Sequence, residues 1–302
     1  MGSPADWPNG ARAAISLTFD NMGEAADLNR GLWPASEAIG SHHSVTAALP
    51  KMLAVLTKHD IKITYFIESW NLHHYPAVIA DDIVAAGHEV AWHAWQHEAW
   101  SKLSKTEERA NFESSFGNEG IGGFDHRFQG KRLRYHGFRP PGGIIHGDRT
   151  LRLCEEHELD YLSPAAEKAA IVPVAGSSSS LVILPFKWRT VDAYYYMDSF
   201  AGLRDIKGEP RDPLSEETLA NRYCAEIDAA IETGQFLSLL FHPFLTNSPE
   251  RLQAMEKVVI HLVKKRDAGE IWLARCQDVA AWTKEHPHLV ATDPEWDHSQ
   301  WR

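Results

Sequence analysis

Short apolar segments and longer amphipathic segments alternate along almost the whole chain, and this alternation constrains the fold more than any other feature. The apolar segments predict strands, and the amphipathic segments predict helices. Strands that alternate with helices form parallel sheets, so the sequence predicts an α/β fold, open or closed into a barrel. The predicted strands are 13–19, 63–67, 89–92, 137–139, 159–162, 180–186, 235–241 and 271–274, and the predicted helices are 45–58, 76–86, 103–116, 148–158, 215–233, 249–265 and 277–284.

Residues that begin and end helices support these boundaries. Ser104 is followed three residues later by Glu107, which is a capping-box pattern. Ser215 is suited to cap the helix that Gly234 should end. Residues 20–44 and 187–214 fit neither pattern, and long irregular segments in compact domains are often functional.

Composition excludes several classes of protein. The 302 residues contain 30 Lys and Arg against 41 Asp and Glu, a formal net charge of −11 that disfavours nucleic acid as a partner. No apolar run approaches the roughly 20 residues that cross a bilayer, and no secretory signal is visible. The three cysteines are far apart, which predicts no disulfide framework and favours a reducing cytoplasm.

We expect a single domain over 1–302, with an N-terminal extension at 1–11 and a C-terminal tail at 285–302; a homo-oligomer is left open.

Polar residues stand at the ends of four predicted strands. Asp20 and Asn21 follow the first strand, His93 follows the third, Arg139 follows Gly137-Phe138, and His242 follows the apolar strand 235–241. The carboxyl ends of parallel strands face one side of a sheet or barrel, where active sites are built. These residues therefore predict one shared cleft.

His93 begins a His-x3-His pattern that ends at His97. In a helical turn, residues four apart share a face, so both imidazoles could bind one metal ion. Each residue also has an ordinary structural interpretation. The pair could be surface histidines, Asp20 a loop cap, Arg139 a salt-bridge partner and His242 a hydrogen-bonded core histidine.

Four short blocks follow one another along the chain: Thr18-Phe19-Asp20-Asn21, His93-x3-His97, Arg139-Pro140-Pro141-Gly142 and Leu240-Phe241-His242-Pro243. In this order they resemble the polysaccharide deacetylase superfamily, also called the NodB-homology group or carbohydrate esterase family 4. The string from Gly87 to Glu98 is especially similar to the intracellular branch, which includes peptidoglycan deacetylase-like proteins and allantoinase-like ureide hydrolases.

The resemblance implies a distorted (β/α) barrel of about seven strands and a role for each matched residue. Asp20 would be the catalytic base, Arg139 would orient it, and His242 would be the general acid. His93 and His97 would bind a divalent metal, with zinc the expected ion and Asn21 the expected third ligand.

The first block departs from the family pattern at the metal ligand. Asn21 stands where the family has a second carboxylate, and a neutral amide oxygen binds a cation more weakly. If the block is aligned as Phe-Asp-x-Asp-Gly-Glu, Met22 stands at the carboxylate position instead. The third ligand is therefore open among Asp20, Asn21 and Glu24.

Three functions are compatible with these residues. The first is metal-dependent hydrolysis of a non-peptide C–N amide bond in an N-acetylated sugar or a small amide, in which the metal activates water. The second is metal-independent hydrolysis of a cyclic ureide or imide. The third is a sugar- or small-ligand-binding protein without catalysis, which would have no need of the acid and base together.

Residues 187–197 follow an apolar strand and contain three consecutive tyrosines. We expect this segment to cover a compact pocket over His93, His97 and His242, as suits a small-molecule enzyme that excludes water. A helix cap or an oligomer contact is the alternative interpretation. The expected substrate-binding residues are Trp95, Trp188, Asp192 and Tyr194.

Overall fold

The computed structural model describes residues 7–124, 127–128 and 131–299. Eleven strands are found in this part of the chain: β1 (Ala13–Asp20), β2 (Thr64–Ile67), β3 (Glu89–Trp92), β4 (Arg127–Phe128), β5 (Lys131–Arg132), β6 (Gly137–Phe138), β7 (Tyr161–Leu162), β8 (Ala170–Pro173), β9 (Ser180–Ile183), β10 (Phe236–Phe241) and β11 (Ile271–Leu273).

Nine of these strands form one curled sheet in the order β10-β1-β2-β3-β6-β7-β9-β8, with β11 beside the start of β1. Every pairing is parallel except that of β8 with β9. Beyond β9, Val191 forms a parallel bridge with Leu240 of β10 and so brings the two sides of the sheet together. The arrangement is a distorted (β/α)7 barrel, which confirms the predicted fold class.

The helices are α1 (Ala25–Asn29), α2 (Leu49–Lys58), α3 (Asn71–His74), α4 (Lys105–Phe116), α5 (Asp148–Glu156), α6 (Asp192–Tyr196), α7 (Ala201–Ile206), α8 (Glu216–Thr233), α9 (Pro249–Asp267) and α10 (Cys276–Glu285). Ser44–Ala48 and Val78–Val84 are π-helical. The predicted capping box of Ser104 and Glu107 is present, and Ser215 caps α8 while Gly234 ends it in a left-handed conformation. No helix in the described ranges is long and apolar enough to cross a membrane.

β1 explains how the sheet positions the site. All eight of its residues are buried. Ile15 and Leu17 belong to the large apolar core that also contains buried residues of α2, α8 and α9. Ser16 and Thr18 alternate with them, because successive strand residues point to opposite faces. The polar face of β1 therefore looks into the barrel, and Asp20 lies at its carboxyl end.

Some parts of the fold differ from the sequence prediction or lie outside it. The β8 strand and its antiparallel pairing were not predicted, nor were β4 and β5. The expected N-terminal extension packs on the body from residue 7, where Trp7 is buried and donates to the Gly234 carbonyl; residues 1–6 lie outside the described ranges. The expected C-terminal tail also contacts the barrel, through bridges from Ala291 to Ala170 and from Trp296 to Ala166.

Candidate active site

A cavity of about 960 Å³ opens at the carboxyl ends of the strands. All six of the residues that the sequence assigned to the catalytic and metal-binding roles line it, so the predicted convergence of the strand ends is present in the structure. They are Asp20, Asn21, His93, His97, Arg139 and His242.

Asp20 lies at the bottom of this cavity and is bound by Arg139. Asp20 is only 3% exposed, and its Oδ1 accepts a hydrogen bond of 2.7 Å from Nη1 of Arg139. A charge-assisted bond of this kind is stronger than a bond between neutral groups. The direction of one oxygen of Asp20 is therefore fixed.

Arg139 crosses the barrel interior and satisfies most of its donors there. Its Nη1 also donates to Thr18 at 2.9 Å, and its other donors reach Ser163 and Ser238 at 3.0–3.1 Å. The guanidinium lies 4.0 Å from the ring centroid of Phe66. A planar, permanently charged group with partners on several strands cannot rotate freely, so the Asp20 oxygen that it binds is held in one direction.

His242 is held by Asp192. Its Nδ1 donates to Asp192 Oδ1 at 2.5 Å, and its backbone N–H donates to the other oxygen at 2.7 Å. Burial disfavours the imidazolium, but the charge and hydrogen bond of Asp192, together with the charge of Asp20, outweigh it and raise the pKa of His242. A raised pKa favours the imidazolium, which carries a proton on Nε2 as well as on Nδ1, and this suits His242 to act as a general acid.

His93 has the opposite electrostatic environment. Its Nδ1 donates to the backbone carbonyl of Arg139 at 2.6 Å, which leaves Nε2 unprotonated, 3.9 Å from Asp20 Oδ2. Burial, despite the opposing charge of Asp20, lowers the pKa of His93 to about 4. His93 is therefore a neutral imidazole with a free lone pair on Nε2, and histidines that bind metals have this arrangement.

His97 is placed by a loop and not by the helical turn that the spacing suggested. Ala94 and His97 both have left-handed backbone conformations, with φ of 70° and 62°. The two imidazole rings nevertheless lie close together, with centroids 4.9 Å apart. Two left-handed non-glycine residues in one short loop store backbone strain, which is common at functional sites.

Arg30 determines the tautomer of His97. Its Nη2 lies 3.0 Å from His97 Nδ1. A guanidinium can only donate, so Nδ1 accepts and the neutral ring carries its proton on Nε2. Burial, His93 and Arg30 all lower the pKa of His97 well below its usual value. In this state neither ring nitrogen offers a free lone pair to a metal ion.

The second carboxylate of the family pattern is missing at this site. Asn21 donates from Nδ2 to Glu68 Oε1 at 2.7 Å, so the neutral Oδ1 is the side-chain atom that it could offer to a cation, and the buried Met22 donates its backbone N–H to Glu68 Oε2. Glu24 accepts from Tyr75 and from the Gly40 backbone. Among the residues described, no group of three or more His, Cys, Asp or Glu side chains is arranged to hold a metal ion.

The donor set therefore does not fit a complete divalent-metal site. Deacetylases of this family generally depend on a metal. In this chain, His93 keeps the arrangement of a metal ligand. The second carboxylate of the family pattern is replaced by Asn21, and His97 accepts a hydrogen bond from the guanidinium of Arg30.

The segment 187–197 does line the cavity, but not with every residue expected. Trp188 is in the cavity wall together with Val191, Ala193 and Met197. Asp192 is fully buried and binds His242, so its expected role as a substrate hook is corrected to a positioning role. Tyr194 is fully buried in the core and, like Trp95, is not among the residues that line the cavity, because the loop after β3 and helix α6 place both elsewhere.

Two contributors to the site were missed by the sequence interpretation. Arg30 lies just after α1, in the irregular segment 20–44, and Glu68 directly follows β2. Burial raises the pKa of Glu68 to about 8, although its hydrogen bonds from Met22 and Asn21 oppose the shift. Glu68 could have been found from the sequence, because it is an acidic residue directly after a strand, and the same position identified Asp20. No sequence pattern indicated Arg30.

The sequence also matches a protein-family model. The family model for polysaccharide deacetylases matches residues 8–162, just over half of the chain. The chain therefore belongs to the polysaccharide deacetylase family, a family of hydrolases. Among curated proteins, none matches the sequence.

Solved structures show the same fold over nearly the whole chain. A protein from Mycobacterium smegmatis assigned as a polysaccharide deacetylase has a TM-score of 0.76 at 22% identity, covering 99% of this chain and 98% of that one. PuuE allantoinase has a TM-score of 0.73 at 19% identity, with 95% of each chain covered. A protein from Pseudomonas aeruginosa PAO1, also assigned as a polysaccharide deacetylase, has a TM-score of 0.69 at 19% identity, covering 95% and 96%.

Proposed function

We propose that this protein is a hydrolase that cleaves a non-peptide C–N bond in a small amide or ureide. The observation that carries the proposal is one cavity in which a carboxylate fixed by an arginine faces the same space as a histidine fixed by a carboxylate. A carboxylate bound by an arginine, beside a histidine whose pKa is raised, suits the two roles of base and acid.

The reaction needs both roles. Asp20 takes a proton from water as the water oxygen attacks the carbonyl carbon. His242 then donates its Nε2 proton to the departing nitrogen, because an amide anion is a very poor leaving group. Arg139 binds Oδ1 of Asp20 and fixes its direction, and Asp192 raises the pKa of His242 and orients its ring.

The developing negative charge on the carbonyl oxygen needs a donor, and His97 supplies one. Because Arg30 donates to Nδ1, the Nε2–H of His97 is the only polar hydrogen of that ring. A preorganised donor in a cavity stabilises an oxyanion more than water does. This role replaces the metal-binding role that the spacing suggested.

A metal-dependent form of the same reaction is the second candidate, and His93 favours it. The bond from its Nδ1 to a backbone carbonyl leaves Nε2 free beside Asp20. A bound divalent ion would activate water and polarise the carbonyl. It would require Arg30 to leave His97, so that a lone pair became available.

A small substrate is favoured over a polymer by the walls of the cavity. Its volume is within the range of small-molecule sites. Trp188, Met197 and Phe200 line it, with Ser299 from the C-terminal tail. The likeness in fold to PuuE allantoinase supports a ureide as one substrate type. The cytoplasm remains the expected compartment, since all three cysteines are free in the structure.

A hydrolysis screen tests this proposal. N-acetylated amino sugars, linear small amides, cyclic ureides and cyclic imides are incubated with the protein, and release of amine or carboxylate is measured after chelation and after addition of Zn²⁺. We expect turnover of a small amide or ureide that survives chelation. Turnover that requires Zn²⁺ supports the second candidate, and turnover of N-acetyl sugar polymers alone contradicts the small-substrate proposal.

A further inference from the structure

Two cations in the cavity wall have no carboxylate partner. Arg30 and Lys102 both line the cavity and are exposed to it. In the described ranges, neither takes part in an ion pair, and the side chain of Arg30 makes its one hydrogen bond to the neutral His97. An arginine has five N–H donors in a planar fork, so most of those of Arg30 remain available.

The balance of charge in the cavity is opposite to that of the whole protein. Its cations are Arg30, Lys102 and Arg139, and its carboxylates are Asp20 and Asp27. Asp20 is neutralised by Arg139 at 2.7 Å, and Asp27 lies 3.5 Å from His42. The chain as a whole has a formal net charge of −11. A cationic cavity in an acidic protein concentrates anions locally.

Arg30 and Asp20 are close enough for one small molecule to contact both side chains. His93 Nε2 is 3.9 Å from Asp20 Oδ2, the His93 and His97 rings are 4.9 Å apart, and Arg30 Nη2 is 3.0 Å from His97. Two imidazole rings thus separate the base from the unpaired guanidinium. A compound whose amide carbonyl lies between Asp20 and His97 would place a group a few bonds away beside Arg30.

We propose that Arg30 is a specificity-determining residue that binds a carboxylate on the substrate, so that the protein acts on small acyl or carbamoyl derivatives that carry a negative charge. The fork of a guanidinium matches the two oxygens of a carboxylate, and Lys102 adds a second positive charge at the same cavity. This inference rests on the proposed function for the reaction, but the recognition itself requires no turnover.

The test measures binding in a protein that does not turn over. The Asp20→Asn variant is titrated calorimetrically with N-acetylglycine and N-carbamoylglycine, and with their neutral partners N-acetylglycinamide and N-carbamoylglycinamide. We expect the carboxylates to bind at least about tenfold more tightly than the amides, as for a charge-assisted bond, with a smaller preference at high salt.

The role of Arg30 is isolated by a second substitution. Adding Arg30→Gln should remove the preference for the carboxylates, so that each carboxylate and its neutral amide bind with affinities within about threefold of each other. Arg211→Gln is the matched control, because Arg211 is an exposed arginine paired with Asp205 outside the cavity. Equal affinity for each carboxylate and its amide, absence of binding by both carboxylates, or a preference that persists in Arg30→Gln overturns the proposal.

The two proposals can fail separately. A charge preference that depends on Arg30, in a protein that hydrolyses nothing in the screen, would retain the inference and refute the proposed function. Hydrolysis without any preference for charged substrates would retain the proposed function and refute the inference about Arg30.

Discussion

Replacing Asp192 with asparagine should disable His242 without altering the shape of the site. Asp192 is fully buried, and its two oxygens accept from the backbone and ring of His242 at 2.7 and 2.5 Å. The asparagine side chain retains one acceptor and turns the other position into a donor that faces an N–H group. The charge that favours the imidazolium disappears, whereas the burial that opposes it remains.

The magnitude follows from the geometry. Two unit charges about 4 Å apart interact by about 4 kcal/mol at an effective dielectric constant near 20. Loss of an attraction of this size should lower the pKa of His242, because the burial that disfavours the imidazolium is no longer opposed by Asp192. The rate should then decrease by about 10²- to 10⁴-fold, as expected for loss of a general acid.

NMR of ¹⁵N-labelled histidine measures this pKa directly and requires no substrate. Asp228→Asn is a suitable control, because Asp228 pairs with His261 at 3.1 Å away from the cavity. A raised pKa stabilises the folded state fully below the unfolded value of 6.5, and the contribution is lost as pH rises through the folded value. The stability difference between wild type and variant should therefore narrow at alkaline pH. An unchanged His242 pKa in Asp192→Asn would refute the reasoning.

Two further predictions concern stability. Burial, together with the charges of Lys62 and Arg275, lowers the pKa of His88 to about 4. The contribution of neutral His88 to the free energy of unfolding should therefore be lost as pH falls from 6.5 towards 4, by about 1.4 kcal/mol per pH unit. Denaturant unfolding at a series of pH values measures this loss, and the free energy of unfolding of His88→Gln should depend less on pH. Gly137→Ala should destabilise the fold by more than about 3 kcal/mol, because a Cβ there would lie 1.9 Å from the Tyr161 ring; a melting temperature equal to that of wild type would contradict this.

The regular part of the fold was predictable because its signals are local. The apolar strands β1 and β10 and the capped helices α4 and α8 follow from patterns within a few residues of each boundary. The strand β8 was missed because it is a run of only four residues that ends in a proline, and it lies at the edge of the sheet, where it pairs antiparallel with β9.

The site was predictable only where residues follow strands. Asp20 and His242 converge because parallel strands end on one side, and the sequence patterns carry that information. The role of Asp192 depends on how a short helix packs against β10. The contact of Arg30 with His97 joins two loops 67 residues apart. No periodicity encodes either contact, so both required the structure.

Asp20 is assigned as the base of a hydrolytic reaction in this cavity. The turnover of the Asp20→Asn variant tests this assignment. The rate of C–N bond cleavage is measured on the best substrate of the screen for wild type, for Asp20→Asn and for Asp205→Asn, an exposed aspartate outside the cavity. The account predicts a loss of at least about 10²-fold in Asp20→Asn, an unchanged rate in Asp205→Asn, and unchanged folding in both by circular dichroism. A folded Asp20→Asn protein with the wild-type rate would contradict it.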